Sequence, residues 1–243
     1  MIHHDLEQRS PEWHRLRLGI PCSSEFHKIV TPKKLELSSQ AKPLMWRLLA
    51  EWVTGAPVEE AFQSFAMERG TELEDQAVGA YEMLTGRDTQ RAGFITSDDG
   101  MMGCSPDRLI GTAGDLELKC PLIHTQIGRA LEGLDQDYVL QLQGRMLIHG
   151  REWCELFSYH PLLVIPPLRV YRDEKVIGRM QPILAAFVET LLKSRALLEE
   201  KYGPFKRNDD APPQSDDIGP LGVTEEDAAE IWAAYEKEMP IHG

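Results

Sequence analysis

Asp107, Glu117 and Lys119 lie in "CSPDRLIGTAGDLELKCP", residues 104 to 121, two apolar runs that each carry charge. Glu117 and Lys119 are two apart, so on a strand they project from one face while Leu116 and Leu118 take the other. The intervening "GTAGD" reads as a turn that folds the two runs together and brings Asp107 toward Glu117. Carboxylates converging in a half-buried sheet repel, which favours a raised pKa or a bound cation. All-oxygen ligands suit Mg²⁺ or Mn²⁺ rather than zinc. Such an ion polarises a phosphoryl oxygen and generates hydroxide, and Lys119 could orient that nucleophile or neutralise developing charge. The same spacing also fits a salt bridge on a half-exposed strand, and the three residues alone leave both readings open.

These side chains need elements to hold them. Residues 91–96, 101–110 and 115–120 read as short strands joined by Gly and Asp turns, a meander. Helical periodicity marks "AKPLMWRLLAEWVTG" with Gly55 as its stop, and "SFAMERGTELEDQAVGAYEMLTG" ending at Gly86. "LIHTQIGRALEGL" and "DQDYVLQLQGRMLIHG" read as two more helices, followed by strands near 152–159 and 166–172 and a long helix over about 175–202. This order predicts a mixed α/β sheet flanked by helices. In the second helix Glu74 falls in register with Ala77, Val78 and Tyr81, on the apolar side, where a carboxylate needs a partner or a route to solvent. In the fourth, Tyr138, Gln141 and Arg145 run beside the Val139, Leu142 and Met146 stripe, as a polar edge facing a ligand or as an ordinary helix flank.

Composition bounds the rest. The 243 residues can bury a sizeable core, and no apolar run approaches the roughly 18 residues of a membrane span. The N-terminal segment has no apolar core or cleavage site, so a cytoplasmic protein without a membrane partner is expected. Four cysteines without a CxxC pair and eight histidines without zinc spacing point to reduced, mostly buried thiols. A net charge of −13 argues against a nucleic-acid partner, yet residues 9–47 carry eight basic residues against three acids. From Asn208 onward ten acids face Lys237 alone, so most of the deficit sits at the end of the chain. A main domain over 1–205, a Pro/Gly/Asp-rich linker over 206–223 and an acidic amphipathic helix over 224–243 are expected.

Taken together and in order, "EWHRLRLGIPCSSEFHKI", "RGTELEDQAVGAYE", "CSPDRL", "LELKCP" and "DYVLQLQ" resemble the lambda-exonuclease and viral alkaline-exonuclease-like (YqaJ-type) branch of the PD-(D/E)XK nucleases. The resemblance implies an α/β restriction-endonuclease-like core. It also implies a Mg²⁺-dependent exonuclease, with Mn²⁺ as a possible substitute, that degrades the 5'-ended strand of duplex DNA to mononucleotides and leaves a 3' overhang for strand annealing. By the same resemblance Asp107, Glu117 and the Leu118 carbonyl hold metal, Glu74 completes the site and Lys119 is the catalytic lysine. Arg17, Ser24, Ser105 and Gln141 form a 5'-phosphate pocket, supplying the charge-assisted and neutral donors that a phosphate needs. "IPCSS" leaves that serine open between Ser23 and Ser24. Tyr138 falls beside the pocket and Met67 at an apolar wedge. Arg145, where the broader group often has tyrosine, is grouped with them as a DNA contact. Family members form ring-shaped trimers on DNA ends and pair with a single-strand annealing protein. Two other readings share these residues: a site-specific endonuclease, and a non-cleaving DNA-end-binding recombination scaffold.

Overall fold

A computed structural model describes residues 1–58, 65–133 and 136–205. The linker and acidic helix expected after residue 205 lie outside these. Strand β1 (Ile2–His4) leads into helix α1 (Pro11–Arg17), whose start is capped by the Ser10 hydroxyl accepting from the Trp13 N–H. A 3₁₀ turn (Ser23–Glu25), α2 (Phe26–Ile29) and α3 (Ala41–Thr54) follow. Gly55 ends α3 and Gly86 ends α4 (Phe65–Thr85), each at positive φ, as the sequence predicts.

The expected meander is divided between two sheets. After β2 (Gln90–Arg91) and β3 (Phe94–Thr96), the run 101–110 splits into β4 (Gly103–Cys104) and β5 (Arg108–Ile110). Pro106 lacks a ladder donor and interrupts the run. β4 joins β1 and β3 in a three-stranded sheet, whereas β5 pairs with β2 and with β6 (Gly114–Lys119). Ser105 and Asp107 are therefore set at the crossing from one sheet to the other. Gln8 secures that crossing by donating to the Ala92 and Pro106 carbonyls at 2.8 and 2.7 Å.

From β6 the chain crosses through α5 (Ile123–Glu132) and α6 (Gln136–His149) to β7 (Trp153–Ser158), which lies parallel to β6. β8 (Leu168–Tyr171) adds antiparallel to β7 and completes the five-stranded order β2-β5-β6-β7-β8 before α7 (Glu174–Tyr202). The sheet is thus mixed, with helices on its faces. Leu116, Leu118 and Phe157 pack with Ala77 and Tyr81 of α4 on one face. Cys154 and Leu156 pack with Leu142 and Met146 of α6 on the other. A larger core joins α2, α3, α6 and α7 through Phe26, Leu48, Leu140 and Leu184.

Two packing constraints fix this frame. Buried Glu155 on β7 accepts from Arg87 at 2.8 Å and from the Arg169 Nε and Nη2 at 2.9 and 2.8 Å, and it also takes the Tyr81 hydroxyl. Burial and that acceptor push the Tyr81 phenol up to about 12, so it remains a donor tying α4 to the sheet. Gly144 lets α6 meet α2 so closely that an added Cβ would stand 2.2 Å from the ring of fully buried Phe26. Gly144→Ala should therefore lower stability by about 1–2 kcal/mol in urea unfolding, because overpacking outweighs the gain of about 1 kcal/mol in helix propensity.

Candidate active site

Glu117 lies on β6 toward α6 and is 4% exposed. Burial alone would raise its pKa, but three donors surround it. Lys119 Nζ is 2.6 Å and Gln141 Nε2 2.7 Å from Oε1, and Arg145 Nη1 is 2.5 Å from Oε2. Lys119 and Arg145 outweigh the desolvation and hold Glu117 below the usual carboxylate range. Burial likewise works against the Lys119 charge, yet Glu117 holds its pKa above the ordinary lysine value. Lys119 therefore serves this site as a cation and hydrogen-bond donor, not as a ready base. Tyr138 backs it, with the ammonium 5.2 Å from the ring centroid and Arg129 donating to the phenol oxygen at 2.5 Å.

Asp107 reaches the same strand edge from the sheet crossing. β5 pairs with β6 only as far as Arg108 opposite Leu116, so the β6 edge at Leu118 is left without a strand. The Leu118 N–H donates to Asp107 Oδ2 at 2.7 Å in its place. A residue's N–H and C=O leave a strand on the same edge, so the Leu118 carbonyl faces the Asp107 side. Burial, then the Glu117 charge, pushes the Asp107 carboxyl up to about 7. Two carboxylates in mutual repulsion with one main-chain oxygen on the shared edge form a donor set that fits a hard divalent cation.

Glu74 approaches from the opposite, α4, face of the sheet. Its oxygens are taken by Arg108 at 3.1 Å and Arg9 at 2.8 Å. Among the described residues no three His, Cys, Asp or Glu side chains are gathered to hold a metal. Arg9, which is half exposed, holds one Glu74 oxygen, while Arg108, almost fully buried, holds the other.

The phosphate-pocket residues divide. Ser105, two residues before Asp107, accepts from Trp13 Nε1 at 2.9 Å and from Arg17 Nη1 at 3.4 Å. The Arg17 guanidinium stacks 4.1 Å from the Trp13 centroid. Ser24 is exposed whereas Ser23 is 3% exposed, so of the two only Ser24 can reach a ligand without rearrangement. Gln141, expected at the phosphate, gives its amide nitrogen to Glu117. Arg145 corrects the expectation of a DNA contact: at 1% exposed it lies beneath the site, between Glu117 and Asp115. The polar edge of α6 is thus turned toward the sheet, leaving Val139 at its exposed flank. Met67 belongs to α4, but its side chain lies outside the described residues.

Sequence reasoning missed Trp13, Arg108, Asp115 and His149. Trp13 sits four residues before Arg17, one helical turn away, a spacing that could have marked it as a platform for the guanidinium. Asp115 shares the Glu117 face at a spacing of two, but nothing in the local pattern names Arg145 as its partner.

A family model for the YqaJ-like viral recombinase domain matches residues 12–152. No curated protein matches the chain. Among solved structures the chain is similar to an alkaline exonuclease, LHK-Exo, from Laribacter hongkongensis. Identity is 31%, covering 79% of this chain and 97% of that chain, with a TM-score of 0.71. The complex of LHK-Exo with dAMP matches at 30% identity, over the same shares and with the same TM-score of 0.71. A phage related exonuclease from Haemophilus somnus 129PT shares the fold at 16% identity and TM-score 0.57, over 75% of this chain and 96% of that one. The mixed sheet flanked by helices is therefore of the PD-(D/E)XK type expected from the resemblance. No helix among the described residues is long and apolar enough to cross a membrane.

The raised Asp107 pKa has a consequence for stability. The folded state binds a proton more tightly than the unfolded chain, so metal-free stability falls as pH rises from about 4 toward about 7 and is flat above. Asp107→Asn removes that loss. Without divalent metal its melting temperature should exceed wild type at pH 8, by roughly 2–4 °C per kcal/mol relieved, and the difference should vanish near pH 4.

Proposed function

We propose that this chain, which belongs to the YqaJ-like viral recombinase domain family, is a divalent-metal-dependent exonuclease that degrades the 5'-ended strand of duplex DNA from its ends. It releases mononucleotides and leaves 3' overhangs for strand annealing. The observation that carries this reading is the meeting of Asp107 and Glu117 at the unpaired edge of β6, beside Lys119. A DNA nuclease is also what the similarity to LHK-Exo supports, and the dAMP bound to that protein is itself a mononucleotide.

Asp107, Glu117 and the Leu118 carbonyl would hold the ion, Mg²⁺ or in its place Mn²⁺, with Glu74 joining them only after both Arg9 and Arg108 let it go. When bound, the ion supplies an activated water and screens the scissile phosphate. Lys119 gives the site a fixed positive charge adjoining Glu117, suited to orienting the attacking water and to stabilising charge that develops on the phosphate. Tyr138 and Arg129 limit where that ammonium can swing. Arg17, steadied on Trp13 and bonded to Ser105, is suited to hold a terminal 5'-phosphate, with Ser24 as a further donor. Because Ser105 and Asp107 flank Pro106, a phosphate held at the first sets where the next linkage meets the second. That coupling supports attack from a 5' end. The same reading includes a ring-shaped homotrimer around DNA and an annealing-protein partner.

Lys119→Ala should still bind DNA ends and lose cleavage by at least about a hundredfold. Retained Mg²⁺-dependent hydrolysis by the purified variant would remove Lys119 from the mechanism. Linear duplexes with and without 5'-phosphate, tested beside a closed circle with and without Mg²⁺, separate the alternatives. Loss of only the phosphorylated linear DNA is expected. Cutting of the circle would indicate an endonuclease, and binding without any hydrolysis a recombination scaffold.

A further inference from the structure

Among the described residues Arg145 is the largest of the fully buried side chains, and it carries a charge. Placing a guanidinium in the interior costs several kcal/mol, and well-packed apolar residues in its place are often as stable or more so. Its Nε moreover has no hydrogen-bond partner among the described residues. Stability alone therefore does not account for it.

The arrangement around it is directional. Asp115 and Glu117 project from β6 toward α6, two residues apart, and Arg145 bridges them, by a hydrogen bond from Nη1 to Glu117 Oε2 at 2.5 Å and by an ion pair, without a hydrogen bond, between Nη2 and Asp115 Oδ1 at 3.2 Å. Nη2 also donates to the Cys154 sulfur at 2.9 Å. His149, one turn along α6, holds the second oxygen of Asp115 through Nε2. The Arg151 N–H donates to His149 Nδ1 at 3.1 Å, which leaves the imidazole proton on Nε2, facing Asp115. Arg145 is thus anchored from behind and acts forward on one oxygen of Glu117. The other oxygen, Oε1, is left on the side of Lys119 and Gln141.

We propose that Arg145 is a positioning residue for Glu117, fixing the carboxylate in the orientation that binds a divalent metal, and that Asp115 and His149 buttress Arg145 for this task. The inference rests on the metal site described under the proposed function. It assigns Arg145, Asp115 and His149 a role at that site although all three are buried beneath it.

The test measures metal binding without DNA and without turnover. Mn²⁺ is titrated into metal-stripped, full-length protein and the free ion is read by electron paramagnetic resonance. Arg145→Lys keeps the charge but cannot span both carboxylates, and should weaken Mn²⁺ binding by about 10–100-fold, the usual effect of losing a residue that orients a ligand. Asp115→Asn keeps the Glu117 contact and should weaken it in the same direction by less. The Mn²⁺ concentration for half-maximal DNA cleavage should rise by the same factors. Wild-type affinity in a cooperatively melting Arg145→Lys protein overturns the assignment of Arg145, and wild-type affinity in Asp115→Asn overturns that of its buttress. If Arg145→Lys does not melt cooperatively, Asp115→Asn decides both. Wild-type protein that binds Mn²⁺ but leaves linear DNA intact would sink the nuclease reading alone. Unaltered affinity in variants of a protein that cleaves would sink this inference alone.

Discussion

A carboxylate on the central strand of a buried sheet must be compensated, and the structure around β6 follows from how Glu117 is compensated. Glu117 is shielded by Lys119 from its own strand and by Gln141 and Arg145 from α6. An isolated carboxylate at that depth would take up a proton rather than stay charged. Its ionisation therefore requires α6 to lie across the sheet with its polar edge inward. That geometry in turn requires the close approach of α6 to α2 at Gly144 and the parallel return of the chain through β7.

The compensation stops short of Asp107. Among the described residues Asp107 receives one main-chain donor and faces the Glu117 charge without an ion pair of its own. Positive charge is instead spent on Glu74, where Arg9 and Arg108 converge from the opposite face. Glu117 is thus fully compensated, Asp107 is not, and Glu74 is paired with two arginines.

Pro106 connects the β6 edge to the Trp13 and Arg17 segment. By ending one strand pairing and beginning another, it sets Ser105 against Trp13 and Arg17 while Asp107 turns to β6. The basic segment at residues 9–47 contributes at just these points: Arg9 reaches Glu74 and Arg17 reaches Ser105, whereas Arg47 is drawn inward to Glu25 and Glu51. Local net charge, more than the total of −13, decides which side chains meet an anionic ligand.

Much of this was legible in the sequence because it depends on local periodicity. The spacing of two between Glu117 and Lys119, the Gly55 and Gly86 stops and the alternation along β6 follow from backbone geometry, which neighbours in the chain dictate. Relations between distant segments were not legible. A helical wheel set Arg145 beside an apolar stripe but could not say which side of that stripe faces a sheet, so a buried bridge between Asp115 and Glu117 read as a surface contact. The same limit applied to Glu74, whose register was correct and whose partners lie more than thirty residues away, and to the 101–110 run, whose two halves chose different sheets. The sequence by itself determined which residue types share a face and where the elements end. Only the tertiary structure decided which charges compensate one another, since burial and Coulomb attraction act through space and not along the chain.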